Sequence, residues 1–290
     1  MGLRTKFNLV VTAAFLVGLA LAAVLSYWLV QKNVRDEVLQ NARIMMESAQ
    51  AIRGYTAREI SPLILAQMKT RFLPHSVPSY AAQTNFRALT EKYPDFTYKE
   101  AALNPTNPSD RATDWEADII HAFRNDKTRS QLIAERDTPT GRVLVLAHPL
   151  TIKDEGCLTC HSTPANAPPS MIELYGPANG FGWQLNETIG AQIVSVPMSV
   201  PLNKGYNIFL TFMAALVVVF LVIIVILNIL LHHVVIKPVV RISQMASEVS
   251  MGQADVPEYE HRGGDEIASL SASFNRMRRS LENAMRMLDA

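Results

Sequence analysis

Cys157 and Cys160 are the only cysteines in the 290-residue chain, and His161 follows directly behind them. Two thiols and an imidazole at this spacing form the C-x-x-C-H pattern that attaches c-type heme. Each thiol adds to one vinyl group as a thioether, and the histidine reaches the iron as proximal axial ligand. The spacing suits that chemistry because all three groups must meet one porphyrin from a single turn of backbone. Competing chemistries need partners absent from the sequence. A redox C-x-x-C belongs in a thioredoxin-like strand-to-helix setting. A structural zinc site takes about four ligands, and there is no second Cys/His pair. A disulfide across two residues is short and strained. The pattern implies one covalent heme c, provided that the segment lies outside the cytoplasm.

The elements that would put it there are two apolar blocks. Residues 7–30 and 208–231 each run for 24 residues without a charge, enough at about 1.5 Å per residue to cross a hydrocarbon layer of about 30 Å. Ala20-Leu21-Ala22-Ala23 mimics a signal-peptide cleavage site, but the apolar run continues to Trp28, which favours an uncleaved anchor. Tyr27 and Trp28 stand where an interfacial aromatic belt would be. Arg4 and Lys6, with Lys237 and Arg241, put both termini inside by the positive-inside rule. Lys32, Arg35 and Lys204 weaken that bias, partly offset by Asp36 and Glu37. The expected domains are a cytoplasmic N-terminus (1–6), a transmembrane helix (7–30), a periplasmic heme c domain (31–207), a second transmembrane helix (208–231) and a cytoplasmic module (236–288). His232 and His233 point to different helix faces and would not act as one b-type heme site. A net charge of +1 gives no basis for nucleic-acid binding.

Within 31–207 the pattern is helices first, strands later. Val34, Val38, Ala42, Met45 and Ala49 recur at helical spacing, predicting a stalk from Gln31 to about Ala66 that Pro62 kinks or ends. Methionines at that spacing, Met45 and Met46 included, read as packing. A helix over 79–92 and another through Asp126, capped by Asp110 or Thr113 and carrying Trp115, Ile119 and Phe123, follow in a loop-rich stretch. Residues 142–147 read as a strand covered on both sides and 189–196 as a second, with a short helix near 170–175 between them. Gly176, Gly180, Phe181, Gly182 and Trp183 make a glycine-rich aromatic stretch. It is either an ordinary turn or a place where backbone approaches a flat ligand. The expected fold is a compact α+β domain with a small antiparallel sheet.

The sixth iron ligand stays open in the sequence. No third cysteine exists, so a thiolate from this chain is excluded. His148 at a strand end and His75 in a proline-flanked loop are candidates, His121 lies on an exposed helix position, and Met68, Met171 and Met198 are further options. Two protein ligands favour electron transfer or redox sensing; an open site can bind a gas.

After the second apolar block, Pro238 opens a helix with Val239, Ile242, Ala246 and Val249 on one side, and Gly252 ends it. A connector with Pro257 leads to a helix whose Ile267, Leu270, Phe274, Met277, Leu281, Ala284 and Leu288 step by three and four. Such a seam demands partner helices, and two chains would form a parallel four-helix bundle.

These residues carry a family resemblance. Pro238, Gly252, Asp265-Glu266-Ile267, Leu270, Phe274-Asn275, Met277 and Leu281 resemble the HAMP linker. The outer segment resembles the PAS-like, c-type-heme-binding periplasmic domain that precedes HAMP in bacterial sensors. The matching stretches are 103–108, Asp114-Trp115-Glu116, Cys157-Leu-Thr-Cys-His161, Gly180-Phe-Gly-Trp183 and 190–197. The resemblance implies a two-pass protein of the bacterial inner membrane, dimeric through HAMP. It also places the first outer helix near the distal heme face, with Arg53, Tyr55 and Met68 as candidates there; Tyr55, Phe181 and Trp183 are candidate heme contacts. Sensors of this kind continue into an output domain, whereas this chain stops at Ala290. The expected function is a membrane-anchored heme c sensor that passes a redox or gas-ligand signal through HAMP to a separate output protein. The alternative is a membrane-anchored cytochrome for periplasmic electron transfer, with a redox partner and HAMP as a dimerisation module. No enzyme activity is expected, because a heme peroxidase needs a distal acid–base pair and none stands out.

Overall fold

The computed structural model describes residues 2–68, 71–253, 256–260 and 263–288; the side chain of Leu288 and Ala290 lie outside the described residues. The chain forms two compact units, one of residues 27–209 and one of residues 1–26 with 210–290.

Helix α1 (Leu3–Tyr55) runs unbroken from the first apolar block into the stalk. Its buried residues are Val34, Val38, Ala42, Met45, Met46 and Ala49, the stripe that the periodicity predicts. Met45 and Met46 pack in the core against Leu144, Leu146, Val194 and Val196. Pro62 does not end the helix. A π-turn over Thr56–Ile60 precedes it, and α2 (Ser61–Met68) carries on beyond. Proline lacks the N–H and crowds the carbonyl four residues back. Widening the turn relieves this: Ser61 N–H bonds the Thr56 carbonyl, and Ser61 Oγ donates to the same oxygen at 2.9 Å.

Helix α3 (Pro78–Lys92) leads into β1 (Thr97–Ala102), a strand that the proline-rich sequence hides. Helix α4 (Asp114–Asn125) starts where Thr113 caps it, and the Glu116 carboxylate accepts from the Thr113 N–H at 2.8 Å. Strands β2 (Leu132–Thr138) and β3 (Gly141–Thr151) form a hairpin. A one-turn helix α5 (Leu158–His161) and α6 (Pro169–Tyr175) precede β4 (Thr188–Pro197). The sheet order is β1-β4-β3-β2, antiparallel throughout. Only β3 and β4 were legible beforehand. β2 is largely exposed and carries Glu135, Arg136 and Asp137 in succession, and β1 has Lys99 and Glu100 side by side at its centre, so neither shows a long apolar run.

The continuous apolar run of β3 is explained by two covered faces. Leu144 and Leu146 meet α1, while Val143, Val145 and Ala147 meet Ile119, Ile120 and Phe123 of α4. One face also carries a buried polar row. Glu100 of β1 is paired with Gln192 of β4, and Gln192 with His148 of β3. Arg53 of α1 donates to Glu100, Tyr98 donates to Glu100 at 2.8 Å, and Gln192 donates to Tyr98 at 3.2 Å.

In the other unit, α7 (Ser199–Leu230) carries the second apolar block. Both apolar helices are long enough to cross a membrane. Phe15 stacks on Phe220 at 3.5 Å, and Asn8 and Asn228 exchange amide hydrogen bonds of 3.0 and 2.8 Å. A second π-turn, Leu231–Ile236, again stands just ahead of a proline, Pro238, in α8 (Lys237–Ser250). His232 and His233, expected on different faces, lie with ring centroids 5.2 Å apart in this turn. Gly252 ends the helix with φ of +84°, a left-handed backbone that suits glycine.

Helix α9 (Glu266–Leu288) is held to the connector by Asn275, which donates to the Tyr259 carbonyl at 2.9 Å. Phe274 is buried with Ile242, Met245 and Val256. Met245, absent from the predicted stripe, takes the buried position beside Ile242. Leu270, Met277 and Leu281 stay 45%, 58% and 44% exposed in the single chain, with no cover on that side among the described residues. Phe123→Ala is expected to cost about 3–5 kcal/mol of unfolding free energy, measured by denaturant melts of the full chain, because it empties the α4 face of the sheet.

Candidate heme-attachment site

Three strands deliver the site to one end of the sheet. Ala102, the last residue of β1, is paired with Gly190 near the start of β4, and Leu150 near the end of β3 is paired with the same Gly190. The loops leaving β1 and β3 and the loop entering β4 therefore converge. They carry Asn104 and Thr106, the 157–161 motif, and the 180–183 turn.

The motif is introduced by Asp154, whose Oδ1 accepts from the Gly156 N–H at 2.8 Å. Cys157, Cys160 and His161 then occupy one helical turn. Neither cysteine is in a disulfide; Cys157 is exposed and Cys160 half-buried. Desolvation pushes both thiols up from their ordinary range. At Cys157 the Asp154 carboxylate adds to the rise and the Arg53 guanidinium opposes it. Thiols in that state are protonated at neutral pH.

His161 is the most constrained member. Its Nδ1 lies 2.8 Å from the Gly180 carbonyl oxygen, an acceptor only, so Nδ1 carries the proton and donates. This tautomer leaves the Nε2 lone pair unprotonated and able to coordinate a metal. The ring stacks on Trp183 with centroids 3.9 Å apart and planes 14° from parallel, which fixes its rotation. Burial lowers the His161 pKa, with the Gly180 bond opposing, so the imidazole is neutral.

What holds Gly180 in place comes from the β1 loop. Asn104 Oδ1 accepts from the Gly180 N–H at 3.3 Å, and its Nδ2 donates to the Phe181 carbonyl at 3.4 Å. Gly182 and Trp183 N–H groups donate to the Ser162 and His161 carbonyls at 3.0 and 3.3 Å. Gly180 has φ of +82°, and a Cβ there would sit 2.0 Å from Thr106 Oγ1 and 2.7 Å from Thr106 Cα. Its glycine is required by this close approach to Thr106. Sequence reasoning missed Asn104 and Thr106 as site residues. The signal was available, because 104–108 stood out as turn chemistry and as part of the family resemblance.

The other candidates are placed as follows. Trp183 lies against the His161 ring, and Phe181 contributes its carbonyl to Asn104. Tyr55 ends α1 with its ring exposed. His75 is exposed, its ring edge-on to Tyr80 at 5.5 Å. Met68 Sδ accepts from Leu73 N–H at 3.1 Å and Ser76 Oγ at 3.4 Å. Met171 and Met198 are buried. His148 is half-buried with Nδ1 3.2 Å from Gln50 Nε2. If the Gln50 amide donates, the proton of His148 sits on Nε2. Desolvation lowers the His148 pKa, with Glu47 opposing.

Two segments of the chain match known protein families. A family model described as Tll0287-like matches residues 31–197, more than half of the chain. The chain belongs to the Tll0287-like family. A HAMP domain model matches residues 230–283. The two matches bear out the resemblance read from the sequence, a PAS-like sensor domain followed by HAMP. Among solved structures, the cyanobacterial heme-protein Tll0287 is similar at 14% identity and a TM-score of 0.44, over 56% of this chain and 95% of that one. No curated protein matches.

The Tll0287-like domain thus holds a neutral histidine, oriented by a backbone carbonyl, one turn from two uncrosslinked thiols. Gly180→Ala is expected to expel the 180–183 turn. It should lower stability by about 1–3 kcal/mol through backbone strain and overlap and weaken the near-ultraviolet circular dichroism of Trp183. Asn104→Ala should cost about 1 kcal/mol and leave the turn in place.

Proposed function

We propose that this Tll0287-like domain carries one heme c, joined to Cys157 and Cys160 by thioethers and ligated through His161 Nε2, and that the chain is a two-pass membrane signal transducer. The observation that carries the reading is the His161 Nδ1–H bond to Gly180 at 2.8 Å beside the two thiols. It prepares the tautomer and ring orientation that a proximal ligand needs. When bound, heme c supplies a one-electron couple and an axial ligand-binding position. The chain's residues do the rest. Asn104 and Thr106 seat the Gly180 carbonyl, Trp183 fixes the imidazole plane, and Arg53 places a positive charge toward Cys157.

Attachment of heme c requires residues 31–207 on the periplasmic side, which the distribution of Arg4, Lys6, Lys237 and Arg241 supports. The stimulus is a redox change or a gas ligand at the iron. α1 carries Gln50 and Arg53 over the polar row and continues directly into the first apolar block, so a shift in that row bears on the membrane segment. The output is a change in HAMP packing within a homodimer, read by a separate signalling protein. The exposed Leu270, Met277 and Leu281 support the dimer. A second reading, an anchored electron carrier without enzyme activity, is favoured by the exposure of Cys157, since a group attached there would be within reach of a redox partner.

The deciding experiment is an absorption spectrum of the full chain, oxidised and reduced, with and without carbon monoxide. A thioether-type α band that survives denaturation is expected; its absence in cells able to mature c-type cytochromes would overturn the assignment. Cys157→Ser or Cys160→Ser should leave one thioether, and His161→Ala should remove the proximal imidazole and shift the heme spectrum. Carbon monoxide binding would favour gas sensing, and indifference to it would leave redox sensing and electron transfer. Phe274→Asp separates those two. It should abolish signalling in a sensor and leave the reduction kinetics of the heme unchanged in a carrier.

A further inference from the structure

The unit that holds most of both apolar blocks carries an unusual charge balance. Residues 1–35 and 205–247 contain no aspartate or glutamate, whereas Arg4 and Lys6 precede the first apolar block and Lys237 and Arg241 follow the second. Two adjoining hollows open there, of about 530 and about 640 Å³, and they share His232 and His233. One is walled by Ile224, Val225 and Ile229 of α7 and floored by Arg4. The other presents Lys237, Arg241 and Gln244. The π-turn over Leu231–Ile236 carries both histidines and lets each line both hollows. Among the described residues, no aspartate or glutamate lines either hollow. Glu258 is taken by Arg278 and Arg279 at 3.1 and 2.8 Å, and Glu248 and Glu260 line neither hollow.

We propose that this groove binds the headgroup of an anionic phospholipid, its phosphate against Arg4, Lys237 and Arg241 and its acyl chains along α7. The apolar wall selects a lipid over a soluble anion. Val225 and Ile229 are exposed and continuous with the apolar surface of α7, so a ligand bearing both hydrocarbon and phosphate satisfies the whole groove. Asn228, in the same hollow, is held by Asn8 and by the Arg4 Nε–H at 3.1 Å, which anchors the guanidinium at the groove floor. Each such cation is worth about 1 kcal/mol, or about fivefold, toward an anionic lipid surface. A lipid held here sits on the turn that joins α7 to the first HAMP helix.

This rests on the two-pass reading, and the two fail separately. Extraction of the protein from cell membranes by alkaline carbonate would overturn the membrane reading and this proposal together. With the protein retained, the test is native mass spectrometry of the detergent-purified, heme-loaded full chain, titrated with phosphatidylglycerol or phosphatidylcholine. Binding of phosphatidylglycerol at least about tenfold tighter is expected from two or more such contacts. Lys237→Gln with Arg241→Gln should weaken it on the order of 25-fold, with the heme spectrum unchanged. Lys32→Gln with Lys204→Gln, which lie at the other end of the apolar segments, should not weaken it. Equal affinity for the two lipids, an equal loss in the Lys32/Lys204 variant, or competitive displacement by inorganic phosphate would each overturn the assignment.

Discussion

A single hydrogen bond, from His161 Nδ1–H to the Gly180 carbonyl, sets the chemistry of the Tll0287-like domain. A free imidazole exchanges tautomers and rotates; this one does neither. The bond fixes which nitrogen is basic, and the Trp183 stack fixes where it points. That carbonyl is positioned by backbone with φ of +82° pressed against Thr106 and tied by Asn104. None of those residues neighbours the motif in sequence. They meet because Ala102, Gly190 and Leu150 line up across β1, β4 and β3, so the sheet register is a precondition of the site.

The same register puts Glu100, Gln192 and His148 in a row beneath α1. Glu100 is buried, and its charge is tolerable only because Arg53 and Tyr98 both donate to it. Removing one partner of such a pair typically costs about 3–5 kcal/mol, since the other charge is stranded. Burial and the neighbouring carboxylate hold the Tyr98 phenol well above its ordinary range, so it stays a donor. The apolar stripe of α1 thus gives way, near its end, to a polar grip on the sheet. That grip lies on the helix that continues into the first apolar block.

Two prolines punctuate the long helices, and the chain answers both alike. The π-turns at Thr56–Ile60 and Leu231–Ile236 each end two residues before a proline. Each lets a helix continue past a residue that would otherwise break it. In the HAMP module, one side of α9 is consumed within the chain by Phe274, Asn275 and Arg278. The other side, with Leu270, Met277 and Leu281, remains exposed apolar surface in the single chain.

The sequence alone determined whatever rests on local periodicity or on covalent spacing. The α1 stripe, the two apolar blocks, the HAMP pattern, the doubly covered β3 and the adjacency of Cys157, Cys160 and His161 are all of that kind. Charged, partly exposed β1 and β2 were illegible because their strand character comes from pairing partners. The response to Pro62 stayed open between a kink and an end, because proline chemistry forbids a regular α-turn without saying whether the helix stops or widens. Only the tertiary structure decided that Asn104, Thr106 and Gly180 belong to His161. Hydrogen bonds between residues 76 positions apart, as between Asn104 and Gly180, leave no periodic trace. They exist only once antiparallel pairing has brought three loops to one end of the sheet.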